Sequence, residues 1–125
     1  MALGEMPYMM AVSPWFFTNL PQWNKNWLWR GDDLWFDRWE EVISIQPEFV
    51  QIITWNDYGE SHYVGPLSDN QYGSLISAPY NYAIDMPHDG WRLFLPYIIK
   101  LYKNPYSNPA IDSEGLVTWY RRHPR

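Results

Sequence analysis

Tyr8-Met9-Met10-Ala11-Val12 opens the chain with unbroken apolar positions and runs on through Ser13-Pro14 into Trp15-Phe16-Phe17. An apolar run without polar alternation predicts a strand covered on both faces. From residue 18 to residue 32 the pattern is broken by Asn19, Pro21, Asn24, Asn26 and Gly31, which predicts a loop, yet Trp23, Trp27 and Trp29 lie in it. Helical spacing follows: Trp35, Trp39, Val42 and Ile43 recur on one face, while Asp37, Arg38, Glu40, Glu41 and Ser44 occupy the other. Asp32 or Asp33 is placed to cap this helix by accepting from a free backbone N–H of its first turn. Pro47 ends it, because proline disfavours helical backbone in the residue before it. Phe49-Val50-Gln51-Ile52-Ile53-Thr54-Trp55 is then β-branched and mostly apolar, the signature of a strand. Strand, loop, helix and strand make a βαβ unit, which predicts a parallel sheet with a right-handed crossover.

Residues 61–88 show little periodicity and much Gly, Pro, Asn and Tyr; a structureless loop of that length is usually functional. A second helix is predicted over residues 90–103, capped by Asp89, with Trp91, Phe94, Leu95, Ile98 and Tyr102 as its buried stripe. Pro96 should kink it, since proline cannot donate to the carbonyl of Arg92. Gly115-Leu116-Val117-Thr118-Trp119-Tyr120 predicts a last strand. The expected class is α/β, with about three parallel strands, two or three helices and long loops in a single segment over residues 1–125.

Composition narrows the function. Nine Trp and ten Tyr in 125 residues exclude a disordered or low-complexity chain. A net charge of −5 leaves no electrostatic footprint for nucleic acid; the basic end Arg121-Arg122-His123-Pro124-Arg125 reads as a solvated tail. The longest apolar run, residues 93–99, is interrupted by Pro96 and falls short of the ~18–20 residues of a membrane span. With no Cys there is no disulfide framework and no thiolate metal site, and residues 1–7 lack the basic and apolar regions of a signal peptide. His62, His88 and His123 have no metal-ligand spacing, so no metal is expected.

Chemistry concentrates where the second strand ends. In parallel α/β folds functional groups collect after the carboxyl ends of strands, and residues 49–55 lead straight into Asn56-Asp57-Tyr58-Gly59-Glu60-Ser61-His62-Tyr63. Two carboxyls in unequal environments can divide into a general acid and a general base, as glycoside hydrolysis requires. The alternative is that Asp57 and Gly59 merely form the turn and Glu60 caps the next element. Trp15, Trp23, Trp27, Trp29 and Trp55 favour the first reading, being more indole than so short a chain can bury, and exposed aromatic faces stack on sugar rings. Asp32 remains either a cap or a site residue, and His88 either a helix start or a substrate contact.

Ser13-Pro14-Trp15-Phe16, Lys25-Asn26-Trp27-Leu28-Trp29-Arg30-Gly31-Asp32, Trp55-Asn56-Asp57-Tyr58-Gly59-Glu60-Ser61-His62-Tyr63 with Gly65-Pro66, and Pro87-His88-Asp89-Gly90-Trp91 together resemble fungal glycoside hydrolase family 71, the α-1,3-glucanases or mutanases. The resemblance covers nearly the whole chain. It implies a (β/α)₈ barrel that hydrolyses α-1,3-glucosidic bonds with inversion and without a cofactor. Asp57 and Glu60 match its catalytic carboxylates; Glu60 is expected as the acid, raised by an apolar wall of Trp55, Tyr58 and Tyr63, and Asp57 as the base. Trp15, Trp27, Trp29, Asp32, Trp55, Asn56, His62, Tyr63 and His88 are the expected substrate-binding groups. The implied partner is α-1,3-glucan outside the cell or in its wall, with no nucleic acid, membrane or specific protein partner. A complete barrel needs ~250 residues and eight strands, so the chain is expected to be the C-terminal part of one, an open arc with unpaired edges. Two other readings remain: a non-catalytic glucan-binding fragment and an inactive truncated gene product.

Overall fold

The structure, a computed structural model, describes residue 4, residues 6–29 and residues 31–120. The expectations for the leader region at residues 1–3 and 5, for Arg30 and for the basic end at 121–125 lie outside the described residues. Over the described residues the chain is α/β, with two short two-stranded sheets and few helices. The first apolar run divides at Ser13-Pro14 into β1 (Met9–Val12) and β2 (Phe17–Leu20). β1 is covered on one face only, because Met10 and Val12 point into the core while Met9 and Ala11 are exposed.

The segment expected to be loop between residues 18 and 32 is instead a hairpin. β2 pairs antiparallel with β3 (Lys25–Leu28), Phe17 opposite Leu28 and Leu20 opposite Lys25. A 3-10 turn at Pro21–Trp23 reverses the chain, and Asn24 takes the left-handed backbone (φ 53°) that Asn tolerates better than most residues. The Asn and Pro residues that suggested loop are thus the turn of a ribbon.

The helix α1 (Leu34–Ile45) forms as its spacing predicts and buries Trp35, Trp39 and Val42. Asp33 holds its N-cap position but makes no side-chain capping bond, and Gln46, left-handed at φ 51°, ends the helix just before Pro47. β4 (Phe49–Ile52) then lies parallel to β1, Met9 beside Phe49 and Val12 beside Ile52, so the βαβ reading holds with the hairpin inserted ahead of the helix. Pro96 does more than kink the second helix. It starts a new one, so that α2 (Gly90–Leu93) and α3 (Leu95–Lys103) share a break at Phe94. Asp89 gives no side-chain capping bond here either, and Phe94 is exposed, off the expected buried stripe. Trp91, Leu95, Ile98 and Tyr102 do pack on the first core of Met10, Val12, Trp35, Trp39, Val42 and Val64.

The last expected strand is absent: residues 115–120 follow the outside of α2 without pairing, Val117 against Gly90 and Gly115 against Leu93. Among the described residues two parallel strands stand where three were expected. Residues 61–88 are not structureless. They wrap a second core of Leu20, Tyr58, Tyr63, Leu75, Tyr82 and Ala83, with a 3-10 helix at Asp69–Leu75. Tyrosine can build such a core because its ring is buried while its hydroxyl satisfies backbone carbonyls. Tyr58 donates to Pro66 O at 2.9 Å and Tyr82 to Gly59 O at 2.7 Å.

Candidate functional site

The strand-end segment that carries the carboxylates is fixed from three sides. Ile53 N–H donates to Val12 O, which prolongs the parallel pairing past β4; Thr54 N–H donates to His62 O and Val64 N–H to Thr54 O, which closes the loop on itself. The hairpin docks through Phe17 N–H to Glu60 O (3.2 Å), and the second core holds Gly59 through Tyr82. Inside this frame Asp57 Oδ1 accepts the Glu60 N–H at 3.0 Å, a capping bond three residues on that ties the two carboxylate residues together.

Those carboxyls meet two cations or potential cations. Lys25, at the start of β3, reaches Glu60 Oε1 at 2.7 Å. His62 Nε2 lies 3.0 Å from Glu60 Oε2 and 3.8 Å from Asp57 Oδ2. Its other nitrogen, Nδ1, is 3.1 Å from Thr54 Oγ1. Burial pushes the Glu60 carboxyl up, but hydrogen bonds from Lys25 and His62, reinforced by their charges, outweigh it and hold the group below its ordinary value. The same bond keeps the Lys25 ammonium raised above its usual value. The expected apolar wall that would raise Glu60 is not assembled: Tyr58 and Tyr63 turn into the second core and Trp55 is 60% exposed. Glu60 is therefore ionised, opposite to the protonated acid expected for it.

One ligand atom each from Asp57, Glu60 and His62 lie within 4.8 Å of one another, a set whose donor types suit a divalent cation. The Lys25 ammonium already neutralises Glu60 from the other oxygen. Sequence reasoning missed this grouping because it searched for His–His spacing, whereas one His joins two carboxyls of the same turn.

The aromatic candidates separate into three groups. Trp27 (50% exposed) stacks on Phe16, which stacks on His62, at 6.0 Å and 5.6 Å between centroids, both 20° from parallel. That column leads from an open indole face to the carboxylates. Trp29 and Trp55 are exposed, and the Arg92 guanidinium sits 5.7 Å over the Trp55 ring. Trp15 is half-buried; its indole N–H is committed to Ser61 O at 2.6 Å and its ring meets His88, Trp91 and Trp119 edge-on. Asp32 is exposed and lines a groove with Trp15, Trp35 and Trp119. Asn56 is exposed and its carbonyl accepts Tyr58 N–H in the turn. Tyr63 and His88, expected as substrate contacts, are buried among the described residues. They stack on each other at 3.8 Å with 0% and 5% exposure, and their polar atoms go to Met86 O and Tyr63 O. Lys25, Thr54 and Phe16 belong to the site although none was singled out by type and spacing. No sequence alternation marks the ribbon that delivers Lys25 and Phe16, since Phe17-Thr18-Asn19-Leu20 reads apolar, polar, polar, apolar and alternates only in burial.

Gly65 lets the loop close. Its N–H donates to Trp55 O at 2.8 Å, and a Cβ there would lie 2.4 Å from that oxygen and 2.8 Å from the Trp55 ring. Since the nearest atom is backbone, Gly65→Ala is expected to cost about 1–3 kcal/mol of stability. Urea unfolding checks this; an unchanged midpoint would mean the loop end yields easily.

The profile of glycosyl hydrolase family 71 matches residues 1–125. Among curated proteins, the chain is 45% identical over 124 residues to a mutanase of Penicillium rubens, covering 98% of this chain and 26% of that protein. It is 42% identical to a glucan endo-1,3-alpha-glucosidase of Schizosaccharomyces pombe (99% of this chain, 28% of that one) and 34% identical to an ascus wall endo-1,3-alpha-glucanase of the same yeast (94% and 28%). The chain thus spans about a quarter of the length of the curated relatives it matches. No solved structure matches it.

Proposed function

The chain belongs to glycosyl hydrolase family 71, and on that premise we propose that it supplies the strand-end carboxylates of an enzyme that hydrolyses the α-1,3-glucosidic bonds of glucan. The observation that carries this reading is the joining of Asp57 and Glu60 with Lys25 and His62 in one cluster beyond β4. The relatives' names, mutanase and glucan endo-1,3-alpha-glucosidase, supply the substrate class. The parallel β1–β4 pair bridged by α1 is the repeating unit of a (β/α)₈ barrel, and we place the chain in its C-terminal part. The enzyme works on cell-wall or extracellular glucan, as the name of the ascus wall relative suggests.

The roles follow from the charges. Glu60, ionised and clasped by Lys25 and His62, fits the base that activates water, and Asp57 takes the acid. Inversion needs ~6.5–9.5 Å between the two carboxyls. One oxygen of each lies within 4.8 Å of the other, at the mouth of the same turn. Asp57 has room to swing outward, its side chain being 41% exposed. A binding-only reading draws on Trp23, Trp27 and Trp29, all exposed on one hairpin turn and its flank.

The test uses a full-length glucanase that contains this segment. Reducing ends should be released from insoluble α-1,3-glucan, with the β-anomer appearing first by NMR. Lys25→Ala removes the ammonium that holds Glu60 down and leaves the burial that pushes it up. The acidic limb of kcat/KM, which reports the base, should then move to higher pH. An unmoved limb would take Glu60 out of the base role. Retention on the polymer without release of reducing ends would favour the binding reading, and a first-formed α-anomer would overturn inversion.

A further inference from the structure

Thr54 touches both ends of the carboxylate turn. Its Oγ1 accepts the Asp57 N–H at 3.1 Å and lies 3.1 Å from His62 Nδ1. The opposite ring nitrogen, Nε2, faces Glu60 Oε2 at 3.0 Å. A carboxylate only accepts, so Nε2 must carry a proton; in the neutral ring Nδ1 then accepts, and the hydroxyl hydrogen of Thr54 is the donor that meets it. The ring has little freedom to escape this arrangement. His62 is 4% exposed and Phe16 stacks on its face. The Thr54 backbone is held at both ends, by its N–H on His62 O and its carbonyl on Val64 N–H.

From this geometry we infer that Thr54 is a positioning residue: its hydroxyl donates to Nδ1 in the Nε2–H tautomer of His62 that the Glu60 carboxylate requires, holds the ring so that this proton points at Glu60, and fixes the backbone from which Asp57 projects. The inference rests on the catalytic reading of Asp57 and Glu60 given above. Threonine suits the role because its methyl fixes the χ1 rotamer of a short side chain, so that the oxygen stays in place. A misplacement of ~1 Å in such an arrangement can cost on the order of 10²-fold in rate.

Thr54→Val keeps the shape and removes the hydroxyl, whereas Thr54→Ser keeps the hydroxyl and removes the methyl. In a full-length glucanase containing this segment, Thr54→Val should lower kcat ~10–100-fold with KM changed less than about twofold, and Thr54→Ser should stay within a few-fold of the parent. Glu60→Gln, measured beside them, separates the two claims. If it retains activity, the site reading falls and this inference with it. If it is inactive while Thr54→Val keeps the parent's kcat, only the inference falls. Equal damage in the Val and Ser variants would also overturn it, since packing and not the hydroxyl would then matter. Imidazole ¹⁵N shifts of the unsubstituted protein at pH 8 give a reading that needs no variant. Protonated Nε2 with bare Nδ1 is expected for His62, and the opposite tautomer would refute the proposal.

Discussion

Glu60→Gln and Asp57→Asn, each placed in a full-length glucanase that contains this segment, are expected to lower kcat on α-1,3-glucan by about 10²–10⁴-fold and to change KM little. Both substitutions keep the size of the side chain and remove the ability to take or give a proton. Proton transfer is realised in the transition state, so the loss falls on turnover and not on ground-state binding. Glu60→Gln has a further consequence peculiar to this site. Lys25 and His62 both direct positive charge or a donated proton at Glu60, and the amide cannot balance the ammonium at 2.7 Å. The double variant should be scarcely slower than the worse single one, because groups that act as a unit are not additive. Initial rates of reducing-end release decide it. Near-parental turnover in either single variant would remove that residue from the chemistry, and in both would return the motif to a turn.

What could be read from the sequence was the part of the molecule governed by one period at a time. The Trp35–Trp39–Val42 stripe, the strand that begins after Pro47 and the helix break just before Pro96 each express a local rule. The carboxylates were legible too, since they follow β4 directly in the chain. The hairpin was not, because Asn24 and the 3-10 turn at Pro21–Trp23 look the same in a loop and in a ribbon. Whether Gly115–Tyr120 pairs is decided by the neighbour it finds, and it finds the outer side of α2. The surroundings of Glu60 are hidden in the sequence for the same reason. Its sequence neighbours are aromatic, but its spatial neighbour is Lys25, 35 residues earlier on the ribbon that sequence reasoning had left unformed. Likewise Tyr63 and His88, 25 residues apart, looked like site residues one at a time; stacked together, they are the wall of a core.

That stacked pair makes the chain sensitive to acid. His88 is buried against Tyr63 and edge-on to Trp15, and burial pushes it down to about 4; the Tyr63 carbonyl at its Nδ1 and the Asp89 carboxylate pull it up without prevailing. A histidine in the unfolded chain titrates near 6.5. Above that pH the ring is neutral in both states and contributes no pH dependence. As the pH falls from 6.5 towards 4, the unfolded chain binds a proton that the folded one refuses, and stability falls with it. Between 6.5 and about 4 the loss amounts to roughly 3 kcal/mol, and it levels off once the folded ring is also protonated. Glu60 acts lower on the scale: its depressed carboxyl gives stability that disappears as the pH drops below the ordinary carboxylate range. Urea midpoints of the 125-residue chain at pH 7, 5.5 and 4.5 should therefore decline steadily before the carboxylates titrate. His88→Gln, which can still donate to the Tyr63 carbonyl but cannot be protonated, should start less stable and show a much flatter decline over the same interval. If the variant and the parent lose stability in parallel, the acid sensitivity belongs to other groups and the buried neutral imidazole is not its source.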